Sequence, residues 1–262
     1  MPAALTERSA RVAAAVKLHR HVGRRRAGRF LAEGPNLVEA AAARGLVHDL
    51  FVTDAAAQRH ASLLATQRCP VHLVTERAAK ALSDTVTPAG LVAVCDMPET
   101  RLEEVLAGSP RLVAVAAEIG EPGNAGTLIR IAHAMGAGAV VLAGHSVDPY
   151  NGKCLRASAG SIFSIPVVAA PDANAVVAAL RDAGLRVLAT TVDADFRLDE
   201  ADLASPTAWL FGAEAHGLPA GIAQAADHRV RIPMSGGAES LNVAAAAAIC
   251  LYQSAQALGC LR

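Results

Sequence analysis

Aromatic side chains make up only 3% of this sequence. That scarcity argues against stacking on aromatic platforms as a way of holding a ligand. The five cysteines (Cys69, Cys95, Cys154, Cys250, Cys260) are far apart and odd in number, and no CxxC or Cys/His cluster occurs. Zinc and a disulfide framework are therefore not expected. Four of the five lie in apolar surroundings and read as core thiols of a protein kept in a reducing compartment. Nine histidines are scattered, with only His19 and His21 close together, so no metal site is expected. No apolar run approaches the ~20 residues that a membrane span needs. The Ala- and Arg-rich N-terminal stretch has something of a transit peptide but no apolar core of a secretory signal, and a cytoplasmic protein is expected. A Walker loop and a G-x-S-x-G elbow are both missing.

What is present is an aliphatic core. Hydrophobic residues reach 53% and charged residues only 18% of the 262 positions, enough for one or two well-buried domains. The net charge of zero conceals an asymmetry: residues 1–30 hold eight Arg or Lys against Glu7, a net +7. The remainder holds 16 basic residues against 23 acidic ones, a net −7. A basic arm on an acidic body points to a polyanion. Arg24, Arg25, Arg26 and Arg29 are its densest part.

The pattern along the chain predicts an α/β protein. Residues 3–22 read as an amphipathic helix, followed by a turn and a second helix that begins near Pro35. Strands are predicted at 48–54, 70–76 and 91–97, with helices between them. These form a small α/β domain over residues 1–100. Residues 98–110, charged and bounded by prolines, read as a linker. A second α/β series over 110–262 has strands at 111–118, 139–144, 186–192, 208–212 and 229–233. The segment 144–166 reads as a long irregular connection. The chain closes with Ile232–Tyr252: a strand end, a Gly-rich loop and an apolar helix expected to be buried all round. Ser240 fits as the N-cap of that helix. Asn242, a poor helix former, reads as a first-turn residue that faces a ligand.

In doubly wound sheets, ligands gather at the carboxyl ends of the strands. Gly120, Gly123 and Gly126 follow the first strand of the second half, with Asn124 placed to cap a helix and Arg130 as its first strong charge. Gly212, Glu214, His216 and Gly217 follow another strand, and MSGGAESLN follows the last. Three glycine-bearing loops beside an arginine suggest a site for a small organic ligand. A dinucleotide site fits poorly. GEPGNAG has the spacing G-x-x-G-x-x-G rather than G-x-G-x-x-G, and no acid ends the strand at 139–144.

Asn124-Ala-Gly126-Thr-Leu-Ile-Arg130, Gly212-Ala-Glu214-Ala-His216-Gly217-Leu218 and Ile232-Pro233-Met234 with Ser240-Leu241-Asn242-Val243 resemble the three ordered motifs of the SpoU/TrmH branch of the SPOUT RNA methyltransferases. Arg-Ala-Ser-Ala-Gly at 156–160 is similar to a segment of that branch. Residues 30–41 and 87–94 resemble the ribosomal-protein-like RNA-binding domain often found ahead of the catalytic domain.

The resemblance implies a small N-terminal α/β RNA-binding domain and a C-terminal α/β-knot domain, a Rossmann-like parallel sheet threaded as a trefoil. It implies S-adenosyl-L-methionine as methyl donor, held by Thr190, Thr191, Gly212, Glu214, Gly217, Leu218, Ile232, Met234, Leu241 and Asn242. It implies a homodimer through the catalytic domain, in which each site borrows groups from its neighbour. Arg130 matches the arginine that assists attack of a ribose 2′-hydroxyl, and Asn124, Glu214, Ser240 and Asn242 are expected to orient the ribose and Arg130. Arginine stays protonated at ordinary pH, so Arg130 is read as a phosphate clamp that polarises the hydroxyl and also contacts RNA. Ribosomal RNA is the expected substrate. A transfer-RNA 2′-O-methyltransferase, a base methyltransferase and a non-catalytic RNA-binding protein that keeps the fold are the alternatives.

Overall fold

The computed structural model describes residues 3–213 and 216–261. The chain forms two compact units. One is the chain up to Glu99 together with Tyr150–Phe163; the other is Thr100–Pro149 with the chain from Ser164 onward.

The first unit is built on a four-stranded sheet of order β1-β4-β2-β3, with β1 at Arg29–Glu33, β2 at Val47–Val52, β3 at Val71–Leu73 and β4 at Leu91–Asp96. β4 runs antiparallel to both β1 and β2, whereas β2 and β3 are parallel. The expected helix over 3–22 is interrupted. It forms at Ala10–Val16, tightens to a 3-10 turn at Lys17–His19, and breaks at Arg20, whose backbone is extended. A new helix, His21–Ala27, then packs its start against the old helix end. A methyl group on Gly23 would lie 2.0 Å from the Lys17 carbonyl oxygen, so only glycine allows this turn. β1 is not anticipated from the sequence, because RFLAE runs straight into a helix signal at Pro35.

Residues 150–163, expected as irregular connection, hold the helix Gly152–Ser158 and pack within the first unit. Tyr150 and Phe163 place their rings 4.7 Å and 6.0 Å from that of Phe30. Arg156 pairs with Asp84. Three of the eight aromatic residues of the chain thus fasten one segment.

The second unit is a seven-stranded sheet of order β7-β6-β5-β10-β8-β11-β9, and every pairing in it is parallel. Its strands are β5 Leu112–Ala117, β6 Ala139–Ala143, β7 Val167–Ala170, β8 Arg186–Thr190, β9 Phe196–Arg197, β10 Thr207–Phe211 and β11 His228–Arg231. β5, β6 and β10 are buried at every position, as strands covered on both faces must be. Along β10 the side chains alternate. Ala208 and Leu210 join Val176, Val177 and Leu180 of the helix Ala173–Asp182 on one face. On the other, the Trp209 indole N–H donates to Ser254 Oγ of the helix Val243–Ala257 at 2.8 Å.

That last helix is not buried all round. Its buried residues are Val243, Ala244, Ala247, Cys250, Leu251, Ser254 and Ala255, one stripe at helical spacing, while Ile249 and Tyr252 are exposed. The linker region contains a short helix, Leu102–Ala107. Among the described residues, no helix is long and apolar enough to cross a membrane.

Candidate active site

The strands β8, β10 and β11 lie side by side, so the loops that leave their carboxyl ends meet. They enclose a cavity of about 820 Å³, within the ordinary size of a small-molecule site. Thr190 and Thr191 contribute from β8, with Thr190 Oγ1 donating to the Leu210 carbonyl at 2.9 Å. After β10 the chain folds back at once. Gly217 N–H donates to Ala213 O at 2.7 Å, and Gly217 takes a left-handed φ of +65°. Gly212 sits under this loop so closely that a methyl group would come within 2.2 Å of backbone at Gly217 and Leu218. After β11 come Ile232, Pro233 and Met234, then Ser240 and Leu241, all of them lining the cavity.

Most of the expected donor-site residues therefore come together: Thr190, Thr191, Gly212, Gly217, Leu218, Ile232, Met234 and Leu241 line one space. Ser240 lines it as well, but as a loop residue and not as an N-cap. The helix starts later, and Asn242 caps it: its Oδ1 accepts from the Ala244 and Ala245 N–H groups at 2.9 Å and 3.3 Å. Asn242 thus stands before the helix and not in its first turn, which corrects the reading of its side chain as odd inside a helix. The same side chain donates through Nδ2 to Asn124 Oδ1 at 3.2 Å, which joins two of the expected orienting residues.

Asn124 does not cap its own helix. The helix Pro122–Ala134 is capped by Glu121, whose carboxylate accepts from Gly123 N–H at 3.1 Å. Arg130 lies further along that helix, exposed, with no hydrogen bond or ion pair among the described residues, and it does not line the cavity. Glu214 lies outside the described residues.

The cavity wall also contains residues that the motifs do not mark. Arg197 lies on the two-residue strand β9, too short to leave a periodic signal. Arg231 ends β11, and Glu239 belongs to the loop before Ser240. Arg197 donates twice to Asp199, at 3.0 Å and 2.9 Å. Beside them Arg229 donates to Asp193 and Asp195, and this guanidinium holds the Asp195 carboxyl below the usual carboxylate range.

The basic arm divides on inspection. Arg25 and Arg26 are exposed. Arg24 is 3% exposed and donates to the Leu18 and His19 carbonyls, both at 2.9 Å, so it is a structural cap and cannot meet RNA. Arg29 is paired with Asp96 at 2.9 Å. Three cysteines, not the expected four, are core thiols: Cys95, Cys154 and Cys250 are buried, Cys69 is half-buried and Cys260 is exposed. Desolvation pushes the Cys95 and Cys250 thiols up.

The model of the SpoU rRNA Methylase family matches residues 111–252, and that of the MRM3-like substrate binding domain matches residues 9–93. The 23S rRNA (guanosine(2553)-2′-O)-methyltransferase RlmP of Bacillus subtilis is 37% identical over 238 residues, 90% of this chain and 92% of its own. The SpoU methyltransferase AviRb of Streptomyces viridochromogenes, solved in complex with the cofactor AdoMet, superposes with a TM-score of 0.84 at 32% identity over 95% of this chain and 98% of its own. An AdoMet-bound rRNA methyltransferase of Sinorhizobium meliloti gives a TM-score of 0.84 at 27% identity, over 98% of each chain. The first glycine-bearing loop, with Gly120, Gly123 and Gly126, does not line the cavity, so the expectation of three such loops on one site holds for two of them. A parallel sheet, two motif loops that converge beside Thr190 and Thr191, and a family match across more than half of the sequence lead to one conclusion: the chain belongs to the SpoU rRNA methylase family.

Proposed function

We propose that this chain transfers a methyl group from S-adenosylmethionine to a ribose 2′-hydroxyl of ribosomal RNA. The observation that carries the reading is the convergence of Gly212, Gly217, Leu218, Ile232, Met234, Ser240 and Leu241 with Thr190 and Thr191 on one cavity. Its walls suit a nucleoside. Leu218, Ile232, Met234 and Leu241 offer apolar surface, and Gly212 and Gly217 let backbone come close. The donor supplies an electrophilic methyl on a sulfonium that carries its own leaving group.

The chain's own residues then have to position the ribose and handle one proton. The hydroxyl loses that proton as its oxygen attacks, and a phosphate oxygen or a transient base accepts it. Arg130 stays charged, neutralises the adjacent phosphate and polarises the hydroxyl. Asn124 and Asn242, already hydrogen bonded to one another, orient the reacting groups together with Ser240 and Glu214. Holding the partners in line can supply several kcal/mol, about 7 in well-oriented systems.

Arg130 does not line the cavity of its own chain, so the site is completed by a second copy in a homodimer through the catalytic unit. The exposed Ile249 and Tyr252 on the last helix support such a face. Residues 1–100 serve as the substrate-binding domain and 110–262 as the catalytic domain, in the cytoplasm. The order β5-β10-β8, in which a later strand enters between two earlier ones, accommodates the trefoil threading of the family. Ribosomal RNA is favoured over transfer RNA by the match of residues 9–93 to a substrate-binding domain and by the relatives named for 23S rRNA.

Calorimetric titration tests the cavity. S-adenosylmethionine should bind the wild-type chain, and Gly212→Ala should abolish that binding while the circular dichroism spectrum is kept. An absence of heat with the wild-type chain would point to a non-catalytic RNA-binding protein.

A further inference from the structure

Arg231 is the last residue of β11, directly after the inward-facing Val230, which is 1% exposed. It lines the cavity and is exposed. Among the described residues it has no carboxylate partner. Its register neighbour across the parallel pairing is Arg197, also in the cavity wall. The two guanidiniums differ in one respect. Arg197 is neutralised by a two-point contact with Asp199, whereas Arg231 keeps its full charge.

Two arginines side by side repel each other, and one acid cancels only one of them. The nearby carboxylates are all engaged, Asp199 by Arg197 and Asp193 and Asp195 by Arg229, which leaves Arg231 without a carboxylate contact in the cavity wall. Most of the other described lining residues are apolar or neutral; His216 and Glu239 are the exceptions. An unpaired arginine on a largely apolar ligand cavity calls for an anion, and its planar fork fits a carboxylate. Glu239, of opposite sign, suits an ammonium. Among the described lining residues, one arginine without a carboxylate partner and one glutamate in a largely neutral wall match a zwitterion better than a simple anion.

We infer that Arg231 binds the α-carboxylate of the methyl donor, and so selects the amino-acid end of that nucleoside over nucleosides that lack it. The inference rests on the reading of the cavity as the donor site. It makes Arg231 a binding residue with no part in the methyl transfer itself.

The test is calorimetric titration of S-adenosylmethionine and of decarboxylated S-adenosylmethionine, which differ by this one group, into the wild-type chain and Arg231→Gln. The wild-type chain should prefer the carboxylated nucleoside by about tenfold, the value of one charge-assisted contact at a partly open site. Arg231→Gln should lose that preference and bind the decarboxylated nucleoside as tightly as the wild type does. Equal weakening of both nucleosides, or a preference that survives the substitution, would overturn the role. An intact preference with weakened binding of a ribosomal RNA fragment would also overturn it and assign Arg231 to a phosphate. If neither nucleoside binds the wild-type chain, the reading of the cavity falls, and the role of Arg231 falls with it.

Discussion

Asn242 does two things with one side chain. It accepts from two backbone N–H groups at the start of the last helix, and it donates to Asn124. Asn242→Ala should remove the cap and lower stability by about 1–2 kcal/mol, read as a drop in melting temperature. Ser240→Ala should leave the melting temperature unchanged, because Ser240 is an exposed loop residue. A polar residue ahead of an apolar helix is visible in the sequence, but which of two candidates forms the cap depends on where the backbone turns. Ser254 makes the same point in the core. It is fully buried and accepts the Trp209 indole N–H. Ser254→Ala should cost about 1–3 kcal/mol by leaving a buried donor unmet, measurable by urea denaturation. In a chain that already carries Trp209→Phe, Ser254→Ala should cost less than it does in the wild type, because the indole donor is gone.

At the level of elements, the parallel strands were legible because burial on both faces writes long aliphatic runs such as LVAVAA and AVVLA. Two of the loops that form the cavity, those after β10 and β11, were legible from their glycines and motif residues, whereas the glycine-bearing loop after β5 lies outside its wall. β1, β7 and β9 were not: two are short, and RFLAE carries no alternation that separates it from the helix that follows. Arg197, which sits on β9, was missed with it. The break at Arg20 was hidden too, since the apolar spacing of residues 3–22 continues across it. Only the close approach of Gly23 to Lys17 O reveals why the chain must turn there. Gly23→Ala should therefore destabilise the first unit by more than the usual cost of altering an exposed helix position, about 1 kcal/mol or above, as read by thermal unfolding. The segment 150–163 was opaque for another reason. Its Tyr150 and Phe163 meet Phe30, a partner more than a hundred residues away, which no local pattern encodes.

For the whole molecule, the division of charge survives in altered form. Arg25 and Arg26 remain open to a polyanion, while Arg24 is spent on two carbonyl groups and Arg29 on Asp96. Charge-neutral glutamine at 25 and 26 should weaken binding of a ribosomal RNA fragment and lower the salt slope by about 2, with no change in melting temperature. Arg24→Gln should do the reverse: lower the melting temperature and leave the salt slope as it was. The family and its fold could be read from residue motifs alone, because the cavity is made of loops with demanding backbone chemistry. The motif also marks Arg130, but on its own helix that side chain stays outside the cavity wall, and its meeting with the cavity belongs to the proposed homodimer. The most direct measurement is to incubate the full chain with ribosomal RNA and S-adenosylmethionine carrying a labelled methyl group, digest the RNA to nucleosides, and separate them. The label should appear in a 2′-O-methylnucleoside and vanish with Arg130→Ala, while S-adenosylmethionine still binds; label in a methylated base, or no label at all, would contradict ribose methylation at this site.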